Sequence, residues 1–169
     1  MNPRIAVLTA SDAAALAPAV FRLYDEVFGD AESFESWREQ MFDRHRARDG
    51  FRLATATADT ALAGFAWGYV GQRGQFWSDL VERTLPPEAT SGWIGDHFEF
   101  VELAVDPGHR GGGLGRRLHD ALLDGLTGRA LLGTTSDPAD PAVRLYRSAG
   151  WRTLGLLDPA RQVMGRELP

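Results

Sequence analysis

Cysteine is absent, which excludes disulfides, thiolate metal sites and cysteine nucleophiles together. Lysine is absent too: all 18 basic residues are arginine, so neither a lysine Schiff base nor a P-loop lysine is available. No apolar run approaches the roughly 20 residues of a membrane-spanning helix. Met1 to Thr9 lacks the charged start, apolar middle and small-residue cleavage site of a secretory signal. Four scattered histidines without cysteine offer no metal-ligand spacing, so no metal is expected. A net charge of −5, with no basic patch interleaved with aromatics, speaks against a nucleic-acid partner and suits a cationic amine. The expectation is a soluble cytoplasmic protein with no membrane and no nucleic acid among its partners.

What remains is a globular composition, 44% hydrophobic and 24% charged over 169 residues, enough to close one core. No repeat or low-complexity linker interrupts it, so a single domain spanning 1–169 is expected. Arg4 to Leu8 reads as a strand. Ser11 or Asp12 can cap a helix whose apolar stripe is Leu16, Val20, Leu23 and Val27, ended by Gly29. A second helix runs from Ser33 to about Arg48 on Phe34, Trp37 and Met41. Phe51 to Ala58 and Leu62 to Val70 form a hairpin about Asp59-Thr60. Trp77, Leu80, Val81 and Leu85 share a helical face that Pro86-Pro87 stops.

Phe98 to Val105 then reads as a buried strand. From Leu114 a helix places Leu118, Ala121, Leu122 and Leu126 inward, closed by Gly128. Arg129 to Thr135 is a strand and Pro141 to Ala149 a helix ended by Gly150. Trp151 to Leu157 and Gln162 to Leu168 are final strands. Strand, crossover helix and strand make one parallel unit, while the short returns at the end are antiparallel. The fold class is mixed α/β: a central, mostly antiparallel sheet with one parallel β-α-β unit, flanked by helices.

Between Val105 and the helix lies Asp106-Pro107-Gly108-His109-Arg110-Gly111-Gly112-Gly113-Leu114-Gly115. Consecutive glycines let backbone N–H groups approach a ligand, and the helix start aims its unpaired N–H groups at the same spot. A phosphate or pyrophosphate suits such a place, with Arg110, Arg116 and Arg117 around it. A P-loop is excluded because Lys and Ser/Thr are missing, and no register fits Gly-x-Gly-x-x-Gly. Arg-x-x-Gly-x-Gly remains, at Arg110, Gly113 and Gly115.

Glu102-Leu103-Ala104-Val105-Asp106-Pro107 followed by Arg110-Gly111-Gly112-Gly113-Leu114-Gly115 resembles the acetyl-CoA-binding motif of the GNAT superfamily of N-acetyltransferases. Pro141 to Trp151, an Ala-x-x-Leu-Tyr helix ending in Gly and an aromatic, resembles that family's second signature. The resemblance implies acetyl-CoA as co-substrate. Backbone groups of Leu103, Ala104 and Val105 would pair with the pantetheine arm, between the strands ending at Val105 and near Thr135. Arg110, Gly111, Gly112, Gly113, Leu114 and Gly115 would hold the pyrophosphate.

Tyr146 resembles the tyrosine that protonates the departing thiolate. Where many members carry an asparagine about seven residues earlier, this chain has Ala139, so contacts from that loop are in doubt. The incoming amine needs a base, and Glu102 is chosen over Glu99 by position; His97, His109 and His119 are weaker candidates.

The acceptor would be a primary amine of a small molecule or a peptide N-terminus, attacking directly in a ternary complex. A homodimer is left open. Trp67, Trp77 and Trp93 are candidates to line the acceptor pocket, with Asp79 and Glu82 recruiting a cation. The other reading is a non-catalytic acyl-CoA-binding sensor or interaction module.

Overall fold

The computed structural model describes residues 2–169; Met1, the first residue of the stretch read for a secretory signal, lies outside the described residues. In chain order the elements are β1 (Arg4–Leu8), α1 (Ala10–Ala13), α2 (Ala17–Phe28), α3 (Phe34–Trp37), α4 (Asp43–Arg46), β2 (Arg52–Ala58) and β3 (Ala61–Gly71). There follow α5 (Phe76–Thr84), α6 (Pro87–Thr90), β4 (His97–Val105), α7 (Leu114–Leu123), β5 (Gly128–Thr135), α8 (Pro141–Ser148), β6 (Arg152–Asp158) and β7 (Arg161–Leu168). The strands form one sheet in the order β1-β2-β3-β4-β5-β7-β6. It is mostly antiparallel, and β4 with β5 is its parallel pair, registered at Phe98↔Ala130 and Glu99↔Leu131. No helix among the described residues is long and apolar enough to cross a membrane. The chain divides into two compact units, Met1–Tyr69 with Val101–Asp124, and Val70–Phe100 with Gly125–Pro169.

The first unit buries the stripe of α2, Val20, Leu23 and Tyr24, against Leu53, Phe65 and Trp67 of the hairpin. Its first helix starts from Thr9, one turn earlier than the Ser11 or Asp12 expected, and no side chain caps it. Ser33 does cap α3, accepting a hydrogen bond from Ser36 N at 3.0 Å. Between α3 and α4 the chain makes a π turn, Arg38–Phe42. Its wider i→i+5 spacing brings Trp37 over Phe42, five residues on, with ring centroids 5.0 Å apart and 13° between planes. Trp67 Nε1 donates to His45 Nδ1 at 3.1 Å, fixing that indole in the core.

Helix α7 lays Leu114, Leu118 and Leu122 into this unit and ends at Leu123, sooner than expected. Leu126 is left outside the helix, half-buried, and Gly128 opens β5 instead of closing the helix. Gly64 lies beneath α7: a Cβ there would stand 2.7 Å from Leu118 Cδ1 and 3.0 Å from the Ala104 carbonyl oxygen. The absence of a side chain allows helix and strand to meet.

The second unit closes its core on Val81, Leu85, Trp93, Ile94, Leu131 and Val163. Pro87, expected only to stop a helix, also begins α6, where its missing N–H costs nothing. The guanidinium groups of Arg129 and Arg152 lie 4.9 and 5.5 Å from the Trp93 ring centroid.

Gly64→Ala should lower the melting temperature, because overpacking of this kind costs about 1–3 kcal/mol. Thermal unfolding by circular dichroism checks this; an unchanged midpoint would mean that Leu118 moves aside freely.

Candidate functional site

The turn after β4 is built from local hydrogen bonds in the first unit. Asp106 N donates to the Ala63 carbonyl at 2.8 Å, the Asp106 carboxylate accepts from Gly108 N at 2.7 Å, and His109 N returns to the Asp106 carbonyl at 2.8 Å. Arg110 Nε then donates to the Val105 carbonyl at 3.0 Å, tying the turn to the strand end. Gly111 and Gly113 take φ of +84° and +81°, a region that side chains with a Cβ disfavour. Gly113 is the N-cap of α7 and has no side chain to satisfy the helix's first N–H groups.

A Cβ built on Gly111, Gly112 or Gly113 meets no atom within 4 Å. The turn is therefore open on its Cβ side, next to a helix start with no side-chain cap, and such a place suits an anion of phosphate type. The turn's arginines are more committed than expected: Arg116 Nε pairs with Asp120 at 2.9 Å, and Arg117 donates to Asn2 Oδ1 at 2.6 Å and to the Pro3 carbonyl at 2.8 Å. Leu103, Ala104 and Val105 are the last three residues of β4, which leads into the turn.

Glu102 also lies in this unit, partly buried, and no described residue donates a hydrogen bond to its carboxylate. Burial first, and then the carboxylate of Asp30, push its pKa from the ordinary 4.5 up to about 8. Asp30 is held by Tyr24, whose hydroxyl donates to Asp30 Oδ1 at 2.8 Å. Burial, that hydrogen bond and the charges of Glu102 and Asp30 raise the Tyr24 pKa, so its hydroxyl keeps its proton. A carboxylate with such a pKa is poised to take a proton near neutrality. Tyr24 and Asp30 were missed from sequence. The available signal was a tyrosine on a buried helix face, whose hydroxyl needs a partner.

Other candidates are occupied structurally. His119, a weaker candidate for the base, is fully buried with Nδ1 2.8 Å from Asp120 Oδ1, because the last turns of α7 press that face inward. His109 is part-exposed, 3.7 Å from Asp106.

In the second unit Glu99 is buried, with His97 Nε2 and Ser78 Oγ each 3.5 Å from its Oε1. Tyr146 lies on α8, buried, its ring 5.9 Å from Phe100 and 6.0 Å from Trp151, both near edge-on. Asp140 caps α8 by accepting from Ala142 N at 2.8 Å. Of the three tryptophans expected at a pocket, Trp67 and Trp93 are core residues, each in its own unit. Trp77 does line a cavity, of about 360 Å³, in the second unit. Asp79 accepts from Gly74 N at 2.8 Å and Glu82 pairs with Arg73 at 3.0 Å, so neither carboxylate is unpaired. No group of three or more metal-ligating residue types gathers among the described residues.

A model of the acetyltransferase (GNAT) family matches residues 17–151. The GCN5-like protein acetyltransferase Rv2170 of Mycobacterium tuberculosis is 33% identical over 130 residues, covering 69% of this chain and 63% of that protein. The N-alpha-acetyltransferase RimI of the same organism is 29% identical over 163 residues, covering 96% of this chain and 87% of that one. The chain spans less than two thirds of two curated relatives: that 63% of Rv2170, and 28% of the uncharacterized protein ML0378 of Mycobacterium leprae. Among solved structures, the PaiA N-acetyltransferase of Thermoplasma acidophilum in complex with coenzyme A has the same fold. Its TM-score is 0.61 at 16% identity, over 99% of this chain and 100% of that one.

Backbone conformation separates the glycines of the turn. Gly113→Ala, forced to a positive φ, should lose about 1 kcal/mol or more and melt earlier, whereas Gly112→Ala should melt with the parent. Differential scanning calorimetry on the two variants checks the difference.

Proposed function

Since the chain belongs to the GNAT acetyltransferase family, we propose that it moves an acetyl group from acetyl-CoA to a primary amine. The amine attacks directly in a ternary complex, and the whole chain, 1–169, works as one catalytic domain. The observation that carries this reading is the glycine turn into α7, where the helix start has no side-chain cap and open space lies on the Cβ side of Gly111, Gly112 and Gly113.

Acetyl-CoA would supply the activated thioester. The amides from Arg110 through Gly115 hold its pyrophosphate, and the β4 backbone at Leu103, Ala104 and Val105 pairs with the pantetheine arm as an added strand would. A backbone N–H in that stretch donates to the thioester oxygen as the amine attacks. Glu102 takes the proton from the amine, directly or through water; its unpartnered carboxylate and raised pKa support that role. Tyr146 returns a proton to the thiolate that leaves. Acceptors include small-molecule amines and peptide N-termini, the latter supported by a relative named as an N-alpha-acetyltransferase.

Three measurements test the reading. Gly112→Glu sets a carboxylate in the open space without strain, so coenzyme A affinity by calorimetry should drop by about tenfold or more; undiminished affinity removes the turn's assigned role. Tyr146→Phe should lower turnover by about tenfold or more with acetyl-CoA affinity unchanged; full turnover makes Tyr146 a packing residue.

Glu102 gives a pH test with a definite sign. The rate should rise with pH and level off above about 8, as Glu102 loses its proton. Asp30→Asn should move that inflection to lower pH, since a like charge beside the base is gone. Stability runs the other way: the folded chain holds this proton more tightly than the unfolded one. The contribution is full below 4.5 and is lost as pH rises through 8. Glu102→Gln should therefore melt higher than the parent at alkaline pH while losing turnover.

A further inference from the structure

The cavity in the second unit has a chemistry of its own. Trp77, Gly133, Thr134, Thr135, Leu157 and Arg161 line about 360 Å³, within the range of small-ligand pockets. One wall is the Trp77 indole, laid so close to β5 that a Cβ at Gly133 would stand 3.3 Å from its ring. The turn between β6 and β7 also lines it, through Leu157, Ala160 and Arg161, and the end of β5 holds that turn. Ser136 N donates to the Ala160 carbonyl at 3.0 Å, Ser136 Oγ to the Pro159 carbonyl at 2.6 Å, and Gln162 Nε2 to the Thr135 carbonyl at 2.8 Å. Such a pocket is formed before any ligand arrives, which lowers the entropy lost on binding.

Arg161 gives the pocket its polarity. Its Nε donates to Asp158 Oδ2 at 2.8 Å, which engages one edge of the guanidinium. No described residue takes its two terminal nitrogens, and its side chain is 60% exposed. A guanidinium held by one edge and open at the other matches a carboxylate, which takes two parallel N–H bonds. Trp77 and Leu157 offer a flat apolar surface, and Phe76, next to Trp77 in α5, is 74% exposed.

We propose that this cavity binds a small carboxylate with an apolar, planar body, its carboxylate on the terminal nitrogens of Arg161 and its body against Trp77 and Leu157. As the place where an acceptor is recognised, the pocket rests on the transferase reading above. It narrows the acceptors to amines that also carry a carboxylate. As a binding site it does not depend on that reading.

The test uses 3-phenylpropanoate, which has no amine to acetylate, and its neutral amide, without acetyl-CoA. Binding to the full chain is followed by the five tryptophan indole N–H signals in nitrogen-labelled protein, with Trp77 assigned through Trp77→Phe. The carboxylate should shift the Trp77 signal saturably, the amide should bind about tenfold more weakly, and Arg161→Gln should weaken the carboxylate by about the same factor. An unmoved Trp77 signal, equal binding of acid and amide, or full affinity in Arg161→Gln would each overturn the site. Because no transfer takes place in the assay, a failed transfer reaction leaves its result standing.

Discussion

The corner where β4 becomes α7 is the constraint on which the first unit's chemistry depends. Val105 ends the strand, Asp106 and Arg110 fold the turn back on it, and Gly113 begins the helix in a left-handed conformation. A helix begun this way leaves its first amides without side-chain caps. Most proteins spend a serine or aspartate there for stability. Here the uncapped start leaves room for an anion to complete the helix.

A similar tension governs Glu102. Burying a carboxylate without a donor opposes its ionisation, and Asp30 nearby opposes it further. The raised pKa that destabilises the folded chain at high pH is the property a base needs near neutrality. Tyr24 limits the strain by neutral means, giving Asp30 one hydrogen bond without adding charge. The cluster illustrates how a site can retain groups that packing alone would reject.

The second unit contributes differently. Its connection between β3 and β4 builds α5 and α6, and Trp77 from α5 stands against the bare backbone at Gly133. The β6–β7 turn is tied back to the end of β5 by Ser136 and Gln162. Tyr146 is packed differently, its ring near edge-on to those of Phe100 and Trp151.

The sequence by itself determined the parts that depend on neighbours in the chain. The strand–turn–helix corner, the hairpin about Asp59 and the two-strand ending were all legible from glycines, prolines and apolar spacing, as was the parallel pairing that a crossover helix requires. Errors there were of a turn or less, as at Thr9 and Leu123. Only the tertiary structure decided the roles of side chains whose partners are distant. It buried His119, sent Trp67 and Trp93 into cores while Trp77 kept a cavity, and set Tyr24 and Asp30 beside a glutamate of β4. The reason is physical: backbone conformation answers to local sterics, but the pKa of Glu102 and the environment of an indole answer to whatever the fold packs against them.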